Sequence, residues 1–197
     1  MKSLLKIGLI IISFCLFANL NVFGQDISPE LKKKLDLEAE KIKGWVSQAI
    51  IVDAVKMQNG QMLSLDEIKK RDVEWIRVKK AKGNPNGLMK QTQNHATGKW
   101  LKNKNKENRG KYPEAFLCDN QGANVAVSKL TSDYWQGDEG KWKNSFNGGN
   151  GKVFYGDPEF DKSAKSMLVQ ISVPVNDSGK TIGVLVVGVK FSALKKK

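Results

Sequence analysis

The stretch from residue 166 to residue 189, "SMLVQISVPVNDSGKTIGVLVVGV", decides the fold of this chain. It holds two runs rich in Val and Ile, which are typical of strands buried on at least one face. The polar segment "NDSGK" separates the runs, and its Gly179 readily adopts the left-handed conformation that a tight turn needs. The stretch therefore predicts two long antiparallel strands joined by a hairpin turn.

The residues before this hairpin predict three more strands. "EAFLCD" at 114–119 and "NVAVS" at 124–128 flank a tight turn at 119–122, which makes them a second hairpin. "KVFY" at 152–155 predicts the remaining strand. Residues 129–151 are polar and rich in Gly, so we expect an insertion there, with one or two helical turns near Trp142.

The first half of the chain predicts helices. Ser28 is a suitable N-cap, and apolar residues then recur every three or four positions as far as Val55. This spacing predicts one amphipathic helix of up to about 30 residues. Ser64 and Glu67 form a capping box that opens a second helix.

A weaker helical segment follows at 88–95, and the basic stretch 97–111 is predicted to be a linker. The order of elements predicts an α+β fold in which a long N-terminal helix packs on a five-stranded antiparallel sheet. We therefore divide the chain into a helical part with a basic linker at 25–111, a sheet domain at 112–194 and a basic tail at 195–197.

The first 24 residues predict a secretory signal peptide. Lys2 and Lys6 precede an uncharged apolar run at 7–18, and Val22 and Gly24 suit a cleavage site after residue 24. The run is shorter than the roughly 20 apolar residues of a membrane-spanning helix. We therefore expect a periplasmic or secreted protein. Its mature form keeps one cysteine, Cys118, so no intrachain disulfide is expected.

The chain is strongly basic, with 33 Lys and Arg against 20 Asp and Glu and a formal charge of +13. The densest run, "KWLKNKNKENRGK" at 99–111, would suit a polyanion, so a basic envelope protein that binds polyanions through 99–111 is the alternative function. The lysines are spread over all predicted elements, and few aromatic residues interleave them. A solvated face that keeps an exported protein soluble is therefore favoured, and no nucleic-acid partner is expected.

Residues that usually perform catalysis are scarce. His95 is the only histidine, Cys118 lies in an apolar strand, and two such ligands are too few for a zinc site. "GKT" at 179–181 lacks the upstream Gly of a phosphate-binding loop. "DPEFDKS" at 157–163 lacks the Gly and Glu of an EF-hand, which leaves an irregular calcium site as an open alternative. We expect no enzyme activity, no metal and no cofactor.

The loop "SDYWQGDEGKW" at 132–142 gathers aromatic rings and carboxylates in a polar segment. Carboxylates beside aromatic faces suit an amine or another cation, whereas the backbone N–H groups near its glycines would suit an anion. A purely structural role, with the tryptophans closing the edge of the core, is the competing interpretation.

The segment "YPEAFLCDNQGANVAVSKLTSDYWQGDEGKW", followed by "GDPEFDKSAKSMLVQISVPVNDSGKTIGVLVVGV", resembles extracytoplasmic Cache sensor domains, also called PDC or PAS-like sensor domains. The resemblance covers about residues 112–194. It implies a long helix along a PAS-like sheet and a small-molecule pocket between the sheet and the mid-domain loops. The ligand-binding residues that it indicates are Asp133, Tyr134, Trp135, Asp138, Trp142, Tyr155, Asp157 and Gln170.

Members of this family commonly bind amino acids, amines or carboxylates and are often fused to a membrane-bound signalling module. This sequence ends at "SALKKK", so the resemblance implies a stand-alone sensor that passes ligand occupancy to a separate, membrane-bound partner. The sequence indicates neither the ligand nor the oligomeric state.

Overall fold

The computed structural model describes residues 28–195. The predicted signal peptide at 1–24 and the last two residues of the predicted tail lie outside the described residues. The helices are α1 (Pro29–Val46), α2 (Ala49–Asn59), α3 (Leu65–Lys80), α4 (Gly87–Asn94), α5 (Ala96–Glu107), α6 (Gly140–Phe146) and α7 (Phe191–Lys195). The strands are β1 (Glu114–Cys118), β2 (Asn124–Val127), β3 (Phe154–Tyr155), β4 (Glu159–Asp161), β5 (Ser166–Asp177) and β6 (Lys180–Lys190). No helix within 28–195 is long and apolar enough to cross a membrane.

The strands form one antiparallel sheet in the order β2-β1-β6-β5-β3, and β4 also pairs with β5. The predicted hairpin is its centre: β5 and β6 pair from Leu168 with Lys190 to Asp177 with Lys180. Ser178 and Gly179 connect them, both with positive φ (49° and 81°), as a two-residue turn matching the strand twist requires. The α+β fold is confirmed, with β4 as a sixth strand that the sequence did not predict.

Helices α1 and α2 cover one face of the sheet. Leu35, Ala39, Ile42 and Val46 recur at helical spacing along α1, and all four are buried against alternate residues of β5 and β6. Glu38 is also buried in α1, at 4% exposure. Its carboxylate accepts a hydrogen bond of 2.7 Å from the Tyr112 hydroxyl, which ties α1 to the segment before β1.

The predicted 30-residue helix is wrong in one respect, because it is broken between α1 and α2. Gln48 leaves the helical conformation (φ −73°, ψ 139°), and the Ser47 hydroxyl donates to the carbonyl of Gly44. The apolar spacing continues across the break, so periodicity alone does not reveal it.

The predicted linker at 97–111 is also wrong, because most of it forms helix α5. This helix begins at a cap in which Nδ1 of His95 accepts the N–H of Thr97. Gly98 lies where α5 passes close to β2, and a Cβ there would stand 2.9 Å from the carbonyl oxygen of Val127. A short turn at 108–113 connects α5 to β1, and the N–H of Tyr112 in it donates to Oδ1 of Asn105.

The opposite face of the sheet is covered by α6. Trp142 and Phe146 stack with their ring centroids 4.7 Å apart and pack on Phe116 and Val186. A third cluster lies beside the β2 edge of the sheet, where Trp75 of α3 meets Met89 of α4 and Tyr134. The loop at 132–142 is thus held between α3 and the sheet.

Candidate functional site

An acidic cleft opens on the sheet face that α6 covers, between β1, β4 and β5. Its volume is about 90 Å³. The residues that line this acidic cleft are Glu114, Asp157, Glu159, Phe160, Asp161, Leu168 and Gln170. Four of these are carboxylates, so the cleft presents negative charge in a strongly basic protein.

The floor of the acidic cleft is a row of three residues across neighbouring strands. Gln170 of β5 pairs with Gly188 of β6, and Gly188 pairs with Glu114 of β1. Because Gly188 has no side chain, Nε2 of Gln170 reaches across it and donates a 3.2 Å hydrogen bond to Oε2 of Glu114. A Cβ at Gly188 would lie 3.3 Å from that same carboxylate oxygen. Gly188 therefore creates the space above the floor.

The carboxylates of the cleft differ in their electrostatic surroundings. Burial raises the pKa of Glu114, and the hydrogen bond from Gln170 and the charge of Lys141 offset part of that effect. Burial also raises the pKa of Asp161, but hydrogen bonds from the Ser163 hydroxyl and the N–H of Ala164 outweigh it, so the net pKa is lowered. An ionised Asp161 and a less acidic Glu114 therefore share one cleft.

Lys141 of α6 lies beside the floor of the cleft. Its ammonium group is 5.6 Å from the ring centroid of Phe116, and its charge lowers the pKa of both Glu114 and Asp133. Lys141 forms no ion pair among residues 28–195 at 4 Å or less. The cleft thus has a cation nearby that does not neutralise it by direct contact.

The structure brings two of the predicted ligand-binding residues into the cleft, Asp157 and Gln170. Asp133 lies near Lys141 but accepts a hydrogen bond from Gln136, and burial raises its pKa. Asp138 is exposed on the loop. Tyr155 lies on the opposite face of the sheet, where its hydroxyl donates to Asp36 of α1 at 2.6 Å, so it is not part of this site.

The three aromatic residues of the predicted loop do not line the acidic cleft. The indole N–H of Trp135 donates to the carbonyl of Gln121 at 2.8 Å, and that of Trp142 donates to the carbonyl of Asp119 at 3.1 Å. Both rings pack on hydrophobic clusters. Tyr134 is fully buried and lines a separate cavity of about 310 Å³ between α2, α3, α4 and β2.

The sequence did not single out Glu114, Lys141 or Gly188, and it indicated Glu159 and Asp161 only as part of an irregular calcium site. Glu114 carried a usable signal, because a carboxylate in a short apolar strand is costly to bury without a function or a partner. Lys141 and Gly188 carried none, because their roles depend on the packing of α6 and on the register between β1 and β6. Within 28–195 no three His, Cys, Asp or Glu side chains are placed to hold a metal ion, the acidic segment at 157–163 included.

The lysines of the basic run at 99–111 do not form one surface. Helix α5 places Lys102 and Lys106 one turn apart, whereas Lys104 turns away and pairs with Glu107 at 2.8 Å. Lys104 also lies over the ring of Trp100. Three exposed lysines, Lys99, Lys102 and Lys106, therefore share one side of the helix, and Lys104 lies on another.

The sheet order, the helices on one face and the cleft on the other are the arrangement of a PAS-like fold. Residues 85–196 match the family described as methyl-accepting chemotaxis protein-like, first PDC sensor domain. This match spans more than half of the chain, so the chain belongs to this family, and the resemblance inferred from the sequence is confirmed.

Solved structures of sensor domains are similar to this chain. The ligand-binding domain of the Pseudomonas aeruginosa PAO1 amino acid chemoreceptor PctC, in complex with GABA, is 13% identical, with a TM-score of 0.44 over 87% of this chain and 62% of that one. The Vibrio cholerae histidine kinase DctB sensor domain is 16% identical, with a TM-score of 0.38 over 84% and 56%. The Campylobacter jejuni chemoreceptor Tlp3 domain with 4-methylisoleucine is 16% identical, with a TM-score of 0.41 over 85% and 63%.

This chain therefore spans about three-fifths of the length of these solved chains. None of the curated proteins matches it.

Proposed function

We propose that this protein is an exported, non-enzymatic sensor that binds a small amine, or the ammonium group of an amino acid, in the acidic cleft. It passes ligand occupancy to a separate signalling partner. The observation that carries the proposal is the partly buried Glu114 at the floor of a cleft with three further carboxylates around it. An ammonium group has three N–H donors and one positive charge, which complement such acceptors.

The size of the cleft supports a head-group site. A volume of about 90 Å³ accommodates an ammonium group, while small-metabolite sites are typically ~300 Å³ or more. The body of the ligand would therefore extend outwards across the rim, where Phe160 is 60% exposed. An exposed aromatic ring beside carboxylates offers both apolar contact and cation–π attraction.

The test is a calorimetric titration of the purified protein with butylamine. Glu114→Gln keeps the shape of the side chain and removes its charge. A hydrogen bond to a charged group contributes about 1.5–3 kcal/mol, so we expect the affinity to fall roughly 10- to 100-fold. Since burial disfavours the charge of Glu114, the variant should unfold at the same denaturant concentration as the parent or a higher one.

Glu74→Gln is the matched control, because Glu74 is a carboxylate on the outer side of α3 that pairs only with Arg77. It should bind butylamine as the parent does. Equal affinities for the parent and Glu114→Gln, with both proteins folded, would refute the acidic cleft as the binding site. Slower hydrogen exchange in the 157–161 segment on binding would support the relay of occupancy through that segment.

A further inference from the structure

A second hollow, the amide cavity, lies at the other edge of the sheet. It is enclosed by α2, α3, α4 and β2, and its volume of about 310 Å³ falls within the range of small-metabolite sites. It shares no lining residue with the acidic cleft. The two hollows also differ in charge, because no Asp or Glu lines the amide cavity.

The polar lining of the amide cavity consists of hydrogen-bond donors and neutral amides. Its polar side chains are Gln58, Gln61, Arg71, Gln91, Thr92, His95, Asn124 and Tyr134. The guanidinium group of Arg71 is the permanent charge among them. The Asp119 carboxylate lies behind the lining and accepts a hydrogen bond from Gln58, so Arg71 is the group in the cavity that attracts an anion.

Three of these side chains have a donor that is not used within the described chain. Tyr134 accepts a 3.2 Å hydrogen bond from Nε2 of Gln58, which leaves its own hydroxyl hydrogen without an acceptor among residues 28–195. Nδ1 of His95 accepts the N–H of Thr97, so the neutral ring carries its proton on Nε2. Arg71 pairs with Glu67 through Nη2 at 2.8 Å and also donates to the Tyr134 hydroxyl, and its guanidinium group has five N–H groups in all.

The ion pair between Arg71 and Glu67 does not block this use of the guanidinium group. Both side chains are partly exposed, at 32% and 50%. Such a pair at i, i+4 contributes little, so an incoming carboxylate can share or replace it at small cost. Bidentate pairing with a carboxylate is the geometry that a guanidinium group favours.

The remaining lining includes the apolar side chains of Ala54, Leu88 and Val125. These would contact a short aliphatic group while the donors hold its charged end. We propose that the amide cavity is a second binding site, which takes a small monocarboxylate with a short aliphatic body. Arg71 pairs with the carboxylate, and Tyr134 and His95 donate hydrogen bonds to it.

Binding at this site would act on the loop at 132–142. Arg71 and Asp72 are neighbours on α3, and Oδ1 of Asp72 already accepts the N–H groups of Tyr134 at 2.7 Å and Trp135 at 3.0 Å. A carboxylate held by Arg71 and Tyr134 adds a second bridge between α3 and this loop. Ligand binding should therefore stabilise the position of the loop.

The experiment compares three probes with the same four-carbon chain on the purified protein: butyrate, its neutral methyl ester and butylamine. We expect saturable butyrate binding by calorimetry and by shifts of backbone amide resonances near Tyr134, and no such shifts with the ester. Arg71→Gln should lower the butyrate affinity at least tenfold. Arg77→Gln removes a guanidinium group from the exposed side of the same helix, away from the cavity, and should leave the affinity unchanged.

Two further variants complete the test. Tyr134→Phe tests the cavity even if Arg71→Gln does not fold, and Glu114→Gln separates the cavity from the acidic cleft. Tyr134→Phe keeps the ring against Trp75, 5.7 Å between centroids, and should weaken butyrate binding by removing only the hydroxyl group. Glu114→Gln should weaken butylamine binding and leave butyrate binding unchanged. If butyrate does not bind saturably, or if Arg71→Gln and Tyr134→Phe both bind it as tightly as Arg77→Gln, the second site is refuted. Failure of butylamine alone refutes only the function of the acidic cleft.

Discussion

Filling the floor of the acidic cleft with one methyl group is the sharpest test of its role. In Gly188→Ala the new Cβ would lie 3.1 Å from Cδ1 of Leu168 and 3.3 Å from Oε2 of Glu114. These contacts are tight, but both neighbours are ends of side chains that can move by a few tenths of an ångström. A methyl group takes about the 30 Å³ of a water molecule, which is about a third of the 90 Å³ cleft.

The effect on folding should be small. Gly188 lies in β6 with an extended backbone that Ala adopts without strain. Replacing Gly by Ala lowers the conformational entropy of the unfolded chain, which stabilises the folded state by ~0.4–1 kcal/mol. This gain offsets the cost of the close contacts, so we expect the free energy of unfolding to change by less than about 1 kcal/mol. Butylamine affinity should fall at least tenfold, because the ammonium group loses its closest approach to Glu114.

Gly183→Ala is the matched contrast, because it makes the same substitution in the same strand on the other face. Its Cβ would collide with the backbone carbonyl oxygen of Cys118 and lie 2.9 Å from Cγ1 of Val55. Backbone cannot move aside cheaply, so this variant should lose about 1–3 kcal/mol in urea unfolding. If folded Gly188→Ala binds butylamine as tightly as the parent, the cleft is not the amine site and the reasoning from its floor is refuted.

Two more predictions concern protonation and the attachment of α1. Burial raises the pKa of Glu114, so butylamine should bind with full affinity above that pKa and more weakly as the pH falls through it. This loss should occur at a higher pH than it would for an exposed glutamate. Calorimetry from pH 4 to 8 would measure it. Tyr112→Phe removes one donor from buried Glu38 and should cost about 1.5–3 kcal/mol in urea unfolding. Burial raises the pKa of Glu38, but hydrogen bonds from Lys111, Tyr112 and Lys41 lower it below its usual value of 4.5. The stability that the ionised carboxylate contributes is therefore present above pH 4.5 and is lost as the pH falls below it. An unchanged unfolding midpoint in Tyr112→Phe, or an amine affinity independent of pH, would contradict these expectations.

The sequence predicted the central hairpin and the first hairpin because strand burial and turn residues are local signals. Val169, Ile171 and Val173 alternate toward the helices as their pattern requires. The break at Gln48 could not be predicted, because the apolar spacing of α1 continues into α2 and only one backbone angle changes. Helix α5 was missed because only Thr97, Gly98 and Leu101 of its residues are buried, which is too little for a hydrophobic stripe.

The candidate site was predicted less well than the fold. Asp157 and Gln170 line the acidic cleft, and their role in ligand binding stays a prediction. The sequence assigned Tyr155 to the same site as Asp157, because residues two apart in one strand share a face. Strand β3 ends at Tyr155, so Asp157 does not continue its alternation, and Tyr155 lies on the α1 face. Which face a residue occupies at a short strand depends on register, and a two-residue strand carries no periodicity from which to infer it.

The cover of the β2 edge has a consequence for self-association. Strand β2 and the residues just before it would expose unpaired N–H and C=O groups, but the 134–136 segment satisfies two of them. The N–H of Asn124 donates to the carbonyl of Tyr134, and the carbonyl of Gly122 accepts the N–H of Gln136. The other edge is interrupted at Pro158, which has no N–H to offer an incoming strand. Neither edge is therefore a continuous template for strand addition. Removing the carboxylate of Asp72 would release the 134–136 segment from α3 and expose the edge of β2. A substitution of Asp72 should therefore promote aggregation before it causes global unfolding.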